Sequence, residues 1–369
     1  TGLADNATDD ADVAISIDGS SITDSLDVFT VDASPILDVD YTFTITGGAA
    51  ADALTGGGGA DTITGGAGKD TITGGVGADT LTGGSGADKF SYALASAQST
   101  NAKTDTITDF VSASDSINVS FTLTGSVFDG TNKGVSASNA DALSLMGSKV
   151  GQYYFNTTTD EMLLDTDGNG LIQSADFAVK LTDASLIGAG DVNFTVTTKT
   201  GSLSTITLGG GVDSVVALHA DDSITTGGGN DTVNLAALVS TSVLAMGAGT
   251  TDTLISANAN ITSGTVTGVE KVTLPSAKIL TLTTAQLATF NSTAGFAVTG
   301  VAAGGIEGLV VAGGNVVNTL DASGITFTNA RIKVTGGSNV DTITGGGGDD
   351  LIVITAGNDI IDGGAGIDT

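Results

Sequence analysis

Aspartate recurs at every ninth residue along one stretch of the chain, and this spacing constrains the fold more than any other feature. Residues 47–91 divide into five nonapeptides, GGAAADALT, GGGGADTIT, GGAGKDTIT, GGVGADTLT and GGSGADKFS. Each carries an Asp at its sixth position and an apolar residue at its eighth. The same rhythm returns at 336–368, and a weaker copy lies at 208–233. Blocks that share one register indicate an architecture in which repeated units stack on their neighbours.

The consensus of these blocks, G-G-x-G-x-D-x-U-x, predicts a six-residue turn followed by a three-residue strand. Glycine tolerates positive φ, so the carbonyl oxygens of the turn can point inward to one spot, where the Asp adds a carboxylate. The apolar residue U points to the other side, into a thin core. Two nonapeptides then form one coil of a parallel β-roll. The alternative is a disordered Gly/Asp-rich linker, which five turns with an apolar residue in phase disfavour.

The turns predict a site for a hard cation. Stacked coils bring Asp carboxylates and Gly carbonyls to distances on the order of 2.3–2.6 Å from a shared Ca²⁺. Oxygen donors with flexible geometry favour Ca²⁺ over Zn²⁺ or Cu²⁺. Without a cation, each row would hold unscreened carboxylates about 5 Å apart, the spacing of neighbouring strands. We therefore expect metal binding and folding to be one event.

These blocks resemble the RTX repeats, the β-roll repeats of bacterial proteins exported by type I secretion. The resemblance implies Ca²⁺ ligation by the Asp of each repeat and by the carbonyls of its first and third residues. In the first block the implied Asp ligands are Asp52, Asp61, Asp70, Asp79 and Asp88, and the implied carbonyl ligands are Gly47, Ala49, Gly56, Gly58, Gly65, Ala67, Gly74, Val76, Gly83 and Ser85. In the other two blocks the implied Asp ligands are Asp213, Asp222 and Asp231, followed by Asp341, Asp350, Asp359 and Asp368.

Two block edges depart from the consensus. Ala50 and Asn339 stand where the fourth glycine of the turn belongs. Asn tolerates a left-handed conformation and Ala does so poorly. We expect weaker or incomplete sites at these edges. In the middle block Leu208, His219 and Thr226 occupy irregular positions.

The segment after the first block predicts a cap. Residues 103–119 repeat an Asp-x-Ile-x-Asp-Phe run, and 152–181 predict two strands, a loop and a further strand. This order is similar to the region after the roll in the serralysin group of secreted proteases, where it closes the open end of the solenoid. That similarity implies that Asp105 completes the last calcium site. The alternative is that Asp105 and Asp109 are solvated loop acids.

Residues 165–176 fit the twelve-residue calcium loop of EF-hands. That loop takes oxygen donors at positions 1, 3, 5 and 12, a backbone carbonyl at position 7, and Gly at position 6. An Asp at position 12, where Glu is usual, shortens the reach. The flanks predict strands, so we expect a calcium loop without the EF helices; the alternative is a polar turn. The candidate ligands are Asp165, Asp167, Asn169, Leu171 and Asp176.

The remaining sequence predicts more strands. Residues 253–330 hold only five charges and alternate Thr, Ser and Asn with aliphatic residues, which indicates strands of a solenoid or a sandwich. AQLATF at 285–290 is the best candidate for a helical turn. Residues 30–64 align without gaps to 319–353, which indicates a duplicated module in which a DAS-containing strand pair runs into a roll.

The predicted fold class is therefore all-β, with calcium-bound parallel β-roll modules alternating with β-sandwich or β-solenoid segments. The predicted organisation is an N-terminal β segment at 1–46, a roll at 47–91, a cap at 92–197, a weaker roll at 198–252, a Thr/Ser-rich β segment at 253–335 and a third roll at 336–369.

Composition excludes several functions. Acidic residues number 41 and basic ones 11, so the net charge is −30, which disfavours nucleic acid and anionic membranes as partners. There is no Cys, so thiolate chemistry is excluded, and no apolar run approaches the roughly 18 residues that span a bilayer. A single His cannot supply an HExxH zinc site, and no G-x-S-x-G elbow is present. We expect no enzyme activity.

The sequence resembles RTX-type bacterial S-layer proteins in its repeated roll blocks, its Thr/Ser-rich strands, its lack of Cys and its strong acidity. The expected function is a secreted, calcium-ordered subunit of a bacterial S-layer or extracellular matrix that assembles with copies of itself, with cell-surface polysaccharide as a further partner. The alternatives are a calcium-rigidified adhesin segment and the tail of a secreted hydrolase. No cleavable signal peptide is expected at Thr1, and a chain that stops inside a nonapeptide is expected to come from a longer repetitive polypeptide.

Overall fold

A computed structural model gives the fold of the chain. It describes residues 13–94, 103–122, 127–136, 150–166, 172–173, 176–182, 187–188, 190–197, 205–217, 222–235, 243–256, 261–262, 265–275, 279–292, 296–300, 308–312, 319–328, 330–336, 338–354 and 356–369. Two compact units emerge: the first holds 1–122, 128–195 and 209–211, and the second holds 123–127, 196–208 and 212–369. Within the described residues, no helix combines the length and the apolar character needed to cross a membrane.

The first unit is built from short strands. In chain order they are β1 (Val13–Asp18), β2 (Thr30–Asp32), β3 (Tyr41–Thr46), β4 (Ala53–Thr55), β5 (Thr62–Ala67), β6 (Thr71–Thr73), β7 (Thr80–Ser85), β8 (Lys89–Ala93), β9 (Asp105–Ile107), β10 (Ser116–Thr122), β11 (Val127–Gly130), β12 (Asn132–Ser136), β13 (Tyr153–Asn156), β14 (Glu161–Leu164), β15 (Phe177–Leu181) and β16 (Val192–Thr197). One sheet has the order β1-β3-β5-β7-β9-β15-β14-β13-β12, and in another β2, β4, β6, β8, β10 and β16 lie side by side.

The nonapeptide sets the register of both sheets. Thr62 of β5 pairs in parallel with Thr80 of β7, and Thr71 of β6 pairs with Lys89 of β8. The members of each pair stand at the same position of alternate nonapeptides, so two nonapeptides make one coil and successive strands alternate between the sheets. The apolar residue at position eight therefore stacks on its equivalent in the next coil, and these side chains are at most 1% exposed: Leu54, Ile63, Ile72, Leu81 and Phe90. The predicted parallel β-roll is confirmed.

The segment after the first roll adds antiparallel strands to the parallel sheet. β13 and β14 form an antiparallel pair, β14 pairs antiparallel with β15, and β15 returns parallel to β9. The predicted order of two strands, a loop and a further strand is confirmed. Aromatic side chains fill its core: the ring centroid of Phe194 lies 5.4 Å from that of Phe128 and 5.9 Å from that of Tyr153.

The second unit continues with short parallel strands and one helix among its described residues. They are β17 (Thr205–Leu208), β18 (Ser214–Ala217), β19 (Ser223–Thr225), β20 (Thr232–Leu235), β21 (Val243–Ala245), β22 (Thr253–Ser256), β23 (Thr265–Thr267), β24 (Lys271–Leu274), β25 (Ile279–Leu282), α1 (Thr284–Ser292), β26 (Ala297–Gly300), β27 (Gly308–Ala312), β28 (Thr319–Asp321), β29 (Thr326–Thr328), β30 (Arg331–Thr335), β31 (Thr342–Thr344), β32 (Leu351–Val353) and β33 (Ile360–Asp362). They pair in the orders β17-β19-β21-β23, β18-β20-β22-β24-β26-β29, β25-β27-β30-β32 and β28-β31-β33.

The low-charge stretch 253–335 forms solenoid rungs rather than a sandwich in its described part. Ser214 pairs with Thr232 at the same sequence separation as in the first roll, whereas Ala297 pairs with Thr326 across a longer connection. The register thus stays parallel while the connections lengthen. The predicted helical turn at 285–290 lies inside α1, whose Phe290 stacks on Phe296 at 4.8 Å between ring centroids. Loops of different length are accommodated between rungs because only the short strands must align.

The duplicated module repeats in three dimensions. In both copies the DAS aspartate accepts the N–H of the serine two residues on, and a residue of the strand before the roll donates its N–H to a roll aspartate. The equivalent pairs are Ser34 N to Asp32 Oδ1 (3.0 Å) and Ser323 N to Asp321 Oδ1 (2.9 Å), and Phe43 N to Asp61 Oδ1 (2.8 Å) and Ile332 N to Asp350 Oδ1 (2.9 Å). One sequence pattern therefore gives the same hydrogen bonds in both units.

Candidate metal centre

The nine-spaced aspartates form two ladders along the first roll. Each Asp directly precedes a strand, and from Asp70 onward its Oδ1 accepts the backbone N–H of the Asp one coil earlier. In one ladder Asp52 N donates to Asp70 Oδ1 at 2.8 Å and Asp70 N to Asp88 Oδ1 at 2.9 Å. In the other, Asp61 N donates to Asp79 Oδ1 at 2.8 Å. These side chains are at most 2% exposed. The ladder therefore holds buried carboxylates in line.

The hydrogen bonding of the second carboxylate oxygen, Oδ2, differs between the first coil and the coils that follow. Oδ2 of Asp52 accepts the N–H of Gly48, and Oδ2 of Asp61 accepts the N–H of Gly57, both at 2.6 Å. In Asp70, Asp79 and Asp88 the Oδ2 atom is buried and has no hydrogen-bond partner. A buried carboxylate oxygen without a donor is strongly unfavourable unless a cation binds it.

The first glycine of each turn leaves a space beside the Asp Oδ2 atom, which we call the cradle. A Cβ atom built on Gly65 would collide with Asp70 Oδ2 and lie 2.6 Å from the carbonyl oxygen of Gly83, one coil further on. A Cβ on Gly56 would collide in the same way with Asp61 Oδ2 and the carbonyl oxygen of Gly74. Glycine at this position therefore keeps open a space that a carboxylate oxygen and a carbonyl oxygen share.

Burial makes the ladder carboxylates resist ionisation. It raises the pKa of Asp70 to about 6 and that of Asp79 to about 7, with smaller contributions from neighbouring carboxylates. It raises the pKa of Asp105 to about 8, where the charge of Asp79 adds to the effect. A divalent cation at the ladder would reverse this preference, because it stabilises the ionised form.

The donors of the roll fit Ca²⁺. Orphaned carboxylate oxygens, a cradle that a Cβ would fill and donors that are all oxygen match a hard cation rather than Zn²⁺. Nowhere in the described part of the chain do three or more acidic, His or Cys side chains converge on one metal-sized site. Each ion would therefore be held by ladder carboxylates together with backbone carbonyls of the turns.

The predicted carbonyl ligands lie in these turns. The first-position carbonyl oxygens of Gly65, Gly74 and Gly83 lie close to the Cβ position of the first glycine in the preceding coil, which that coil's Asp Oδ2 also approaches. Of the third-position carbonyls, that of Ser85 accepts the N–H of Gly68 at 2.9 Å, which engages one of its lone pairs. The assignment of individual ligands stays a prediction.

The backbone at the block edges differs from the left-handed turn, and the expectation of weaker sites there stays a prediction. Neither Ala50 nor Asn339 adopts a positive φ. The turn at 47–52 stacks on the loop before β2, where Ala49 N donates to the carbonyl of Ile22 at 3.0 Å, so it does not need the left-handed backbone of later turns. At this edge the Gly48 N–H engages Asp52 Oδ2, as the Gly57 N–H engages Asp61 Oδ2 in the next turn.

The segment after the roll continues both ladders. Asp79 N donates to Asp105 Oδ1 at 2.9 Å, and Asp88 N donates to Asp115 Oδ1 at 3.0 Å. Asp109 accepts the N–H groups of Gly83 and Gly84 at 2.8 and 2.7 Å. Asp105 is therefore a buried member of the ladder of Asp61 and Asp79 rather than a solvated loop acid. Asp115, which we did not predict, extends the ladder of Asp52, Asp70 and Asp88. The likeness of residues 92–197 to the serralysin cap stays a prediction.

Both ends of the EF-hand-like segment are buried. Asp176 Oδ1 accepts the N–H and the hydroxyl of Thr166, at 3.0 and 2.7 Å, and its Oδ2 accepts the N–H of Gln173 at 2.7 Å. Asp165 is fully buried directly after β14. The flanks are β14 and β15, so the prediction of strand flanks is confirmed. Asp167, Asn169 and Leu171 lie outside the described residues, and metal binding by this loop stays a prediction.

The other two blocks hold the same ladders. In the middle block Asp213 N donates to Asp231 Oδ1 at 2.9 Å, while Asp222 is buried on the other sheet's side of the coil. Leu208 and Thr226 are buried there, and His219 lies outside the described residues. In the last block Asp341 N donates to Asp359 Oδ1 and Asp350 N to Asp368 Oδ1, at 2.9 and 3.0 Å.

The family comparison agrees with this geometry. A family model described as the RTX calcium-binding nonapeptide repeat matches four times, over residues 44–72, 55–90, 205–237 and 335–369. The chain therefore contains RTX calcium-binding repeats. Its RTX repeats bind Ca²⁺ at multiple sites, and proteins with such repeats are typically secreted to the extracellular space. No curated protein matches the chain. The ladder residues Asp105 and Asp115 lie outside the matched segments.

Proposed function

We propose that this protein is a structural subunit of a bacterial cell surface, an S-layer or an extracellular matrix, that folds on binding Ca²⁺ after type I secretion and then assembles with copies of itself. The observation that carries the proposal is the distribution of the ladders. Rolls occur in both compact units, and in the described part of the chain further parallel strands lie between the second and third rolls. A chain made of coil upon coil suits a load-bearing or space-filling role.

Calcium provides the switch that such a subunit needs. The ladders of the first roll bury the Oδ2 atoms of Asp70, Asp79 and Asp88 without a hydrogen-bond partner, so the coils are disfavoured while these groups are ionised and no divalent cation is present. Extracellular calcium modules work at about millimolar Ca²⁺, far above the concentration inside a cell. The rolls would therefore stay unfolded during export and fold outside, where neutralised coils can pack side by side.

An enzymatic role has less support. The well-spaced carboxylates of the described residues belong to ladders, where their oxygens meet backbone N–H groups rather than a cleft. The composition offers one His, no Cys and no Trp. We propose that the chain itself performs no catalysis and that its partners are other copies of the chain and cell-surface polysaccharide.

Electron microscopy of the purified full chain tests the proposal. The protein is freed of metal with a chelator, then dialysed against millimolar CaCl₂ or, as a control for charge screening, against MgCl₂ of equal ionic strength. We expect lattices or filaments with Ca²⁺, little assembly with Mg²⁺, and disassembly when the chelator is returned. A triple variant that replaces Asp70, Asp79 and Asp88 with Asn provides the matched protein control and should assemble poorly.

Two outcomes would contradict the proposal. An array that survives chelation would show that calcium does not order the assembly. Isolated rods in Ca²⁺, with no lateral contact at any concentration, would instead favour a calcium-rigidified adhesin whose ligand-binding part is elsewhere.

A further inference from the structure

A ladder of acidic residues continues beyond the repeats in the second unit. Asp231 N donates to Asp252 Oδ1 at 2.8 Å, and Asp252 N donates in turn to Glu270 Oε2 at 2.8 Å. The RTX match in this region ends at residue 237. Asp252 directly precedes β22 and Glu270 directly precedes β24, which is the position that the repeat Asp occupies before each roll strand. Glu270 is one of only three glutamates in the chain.

The turn before Asp252 reproduces the backbone of an RTX turn although it has one extra residue. Ala248 N donates to the carbonyl of Gly227 at 2.7 Å, as Val76 N donates to the carbonyl of Gly57 at 2.8 Å in the first roll. A Cβ on Gly249 would collide with Asp252 Oδ1 and with the carbonyl of the equivalent glycine one coil earlier, Gly229. The turn is therefore packed like a repeat that the sequence pattern does not reveal.

The next turn, 268–270, packs closely against carbonyl oxygens of the turn before Asp252. A Cβ on Gly268 would collide with the carbonyl oxygen of Met246 and lie 3.2 Å from that of Gly247. Gly268 has a φ of +72°, a backbone conformation that glycine adopts without strain. The short turn 268–270 thus lies directly over the carbonyls of the turn before Asp252.

One carboxylate oxygen of Asp252 has no hydrogen-bond partner in the protein. Asp252 is fully buried, and its Oδ2 atom receives no hydrogen bond. In the described part of the chain, no basic side chain forms an ion pair with Asp252 or Glu270. Two neighbouring carboxylates with an orphaned oxygen lack the positive charge that would balance them.

We propose that Asp252 and Glu270 bind a calcium ion together with carbonyl oxygens of the turn 246–249, at a site outside the nonapeptide repeats. The site extends the calcium ladder of the middle roll by one coil. It ties β22 and β24, the first rungs of the low-charge stretch, to the calcium-dependent part of the molecule.

Calcium titration of the full chain by calorimetry, with native mass spectrometry to count bound ions, tests the site. The variants are Asp252→Asn and Glu270→Gln, because each keeps a carbonyl oxygen that can accept the ladder N–H while the charge is removed. The matched controls are Asp321→Asn, at an exposed turn, and Glu161→Gln, on β14. We expect each site variant to lose one bound calcium ion per chain or to bind it at least tenfold more weakly, and the controls to match the wild type.

Circular dichroism at saturating calcium shows whether each variant folds. If Asp252→Asn does not fold, Glu270→Gln decides the question, because Glu270 is only partly buried. Wild-type ion count and affinity in a folded Glu270→Gln variant would overturn the proposal. The RTX ions of Asp231 and the other repeats would remain in either case, so this result is independent of the proposed assembly.

Discussion

Each ladder aspartate has two oxygens with different roles. Oδ1 accepts the N–H of the preceding coil and so fixes the stacking, whereas Oδ2 of Asp70, Asp79 and Asp88 faces the cradle without a donor. An Asn in place of one of these aspartates would keep the hydrogen bond that Oδ1 accepts. It would lose the negative charge with which Oδ2 binds a cation. The two roles can therefore be separated by a single substitution.

Asp79→Asn should weaken calcium binding and stabilise the metal-free roll. We expect at least tenfold lower affinity for one ion, or about 1.4 kcal/mol, because a neutral amide replaces the carboxylate. In metal-free buffer the melting temperature should rise, because a buried charge is removed. Calorimetric titration and thermal melts measure both effects.

Asp32→Asn is the matched control, because Asp32 is exposed and Asn can still accept the N–H of Ser34. Equal loss of calcium in both variants, or no loss in Asp79→Asn, would contradict the ladder site.

The turn is the element that makes the coil possible, and its glycines differ in what they tolerate. Gly75 has a φ of +109°, and a Cβ there would collide with the carbonyl oxygen of Gly57. Gly347, in the equivalent roll of the second unit, has no atom within 4 Å of a Cβ position. Only the first of these positions requires glycine.

Gly75→Ala should lower the free energy of unfolding of the calcium-loaded protein by about 2 kcal/mol or more, through left-handed strain and the carbonyl contact. Gly347→Ala should be neutral or stabilising by up to about 1 kcal/mol, because alanine reduces the entropy of the unfolded chain. Urea unfolding at saturating calcium measures both. A Gly75→Ala variant as stable as Gly347→Ala would show that the turns are more adaptable than their packing indicates.

The nine-residue spacing predicts the coil. The ladder residues that it does not predict are missed for a physical reason. Nine-residue spacing was sufficient for the parallel register and the buried apolar columns. Asp115, Asp252 and Glu270 were missed because insertions move them off that spacing, while the strands they precede stay in register. A better signal is an acid two residues before an apolar strand residue, as in Asp-Ser-Ile at 115–117, Asp-Thr-Leu at 252–254 and Glu-Lys-Val at 270–272. The backbone of the Ala50 turn was missed because it depends on the loop on which the turn stacks.

Across the whole molecule, the pH sets the protonation of many acidic side chains at once. Folding without metal raises the pKa of Asp70 to about 6 and that of Asp79 to about 7, from an ordinary value of 3.8, because it buries them. It also raises the pKa of Asp231 to about 6. The folded protein therefore binds more protons than the unfolded chain, so this contribution to stability is complete near pH 4 and is lost as the pH rises through about 6 to 8.

Metal-free protein should accordingly melt at a higher temperature at pH 5 than at pH 8. The calcium-loaded protein should show the opposite trend, because protons displace calcium from the carboxylates. Thermal melts between pH 5 and 8, with and without calcium, measure the two slopes. Asp79→Asn should flatten the metal-free slope, and a metal-free melting temperature that rises with pH would contradict the raised pKa values.

The parallel register also has a mechanical consequence. Within a roll, the strands of each coil pair with those of the coil before it and the coil after it. A tensile force on the two ends of a roll would load these contacts in series, so coils would peel away one after another from an exposed end. Each peeled coil would release on the order of 60 Å of slack at about 3.3 Å per residue. Every step would also free its ions, so external calcium would set the tension at which the roll yields and re-forms.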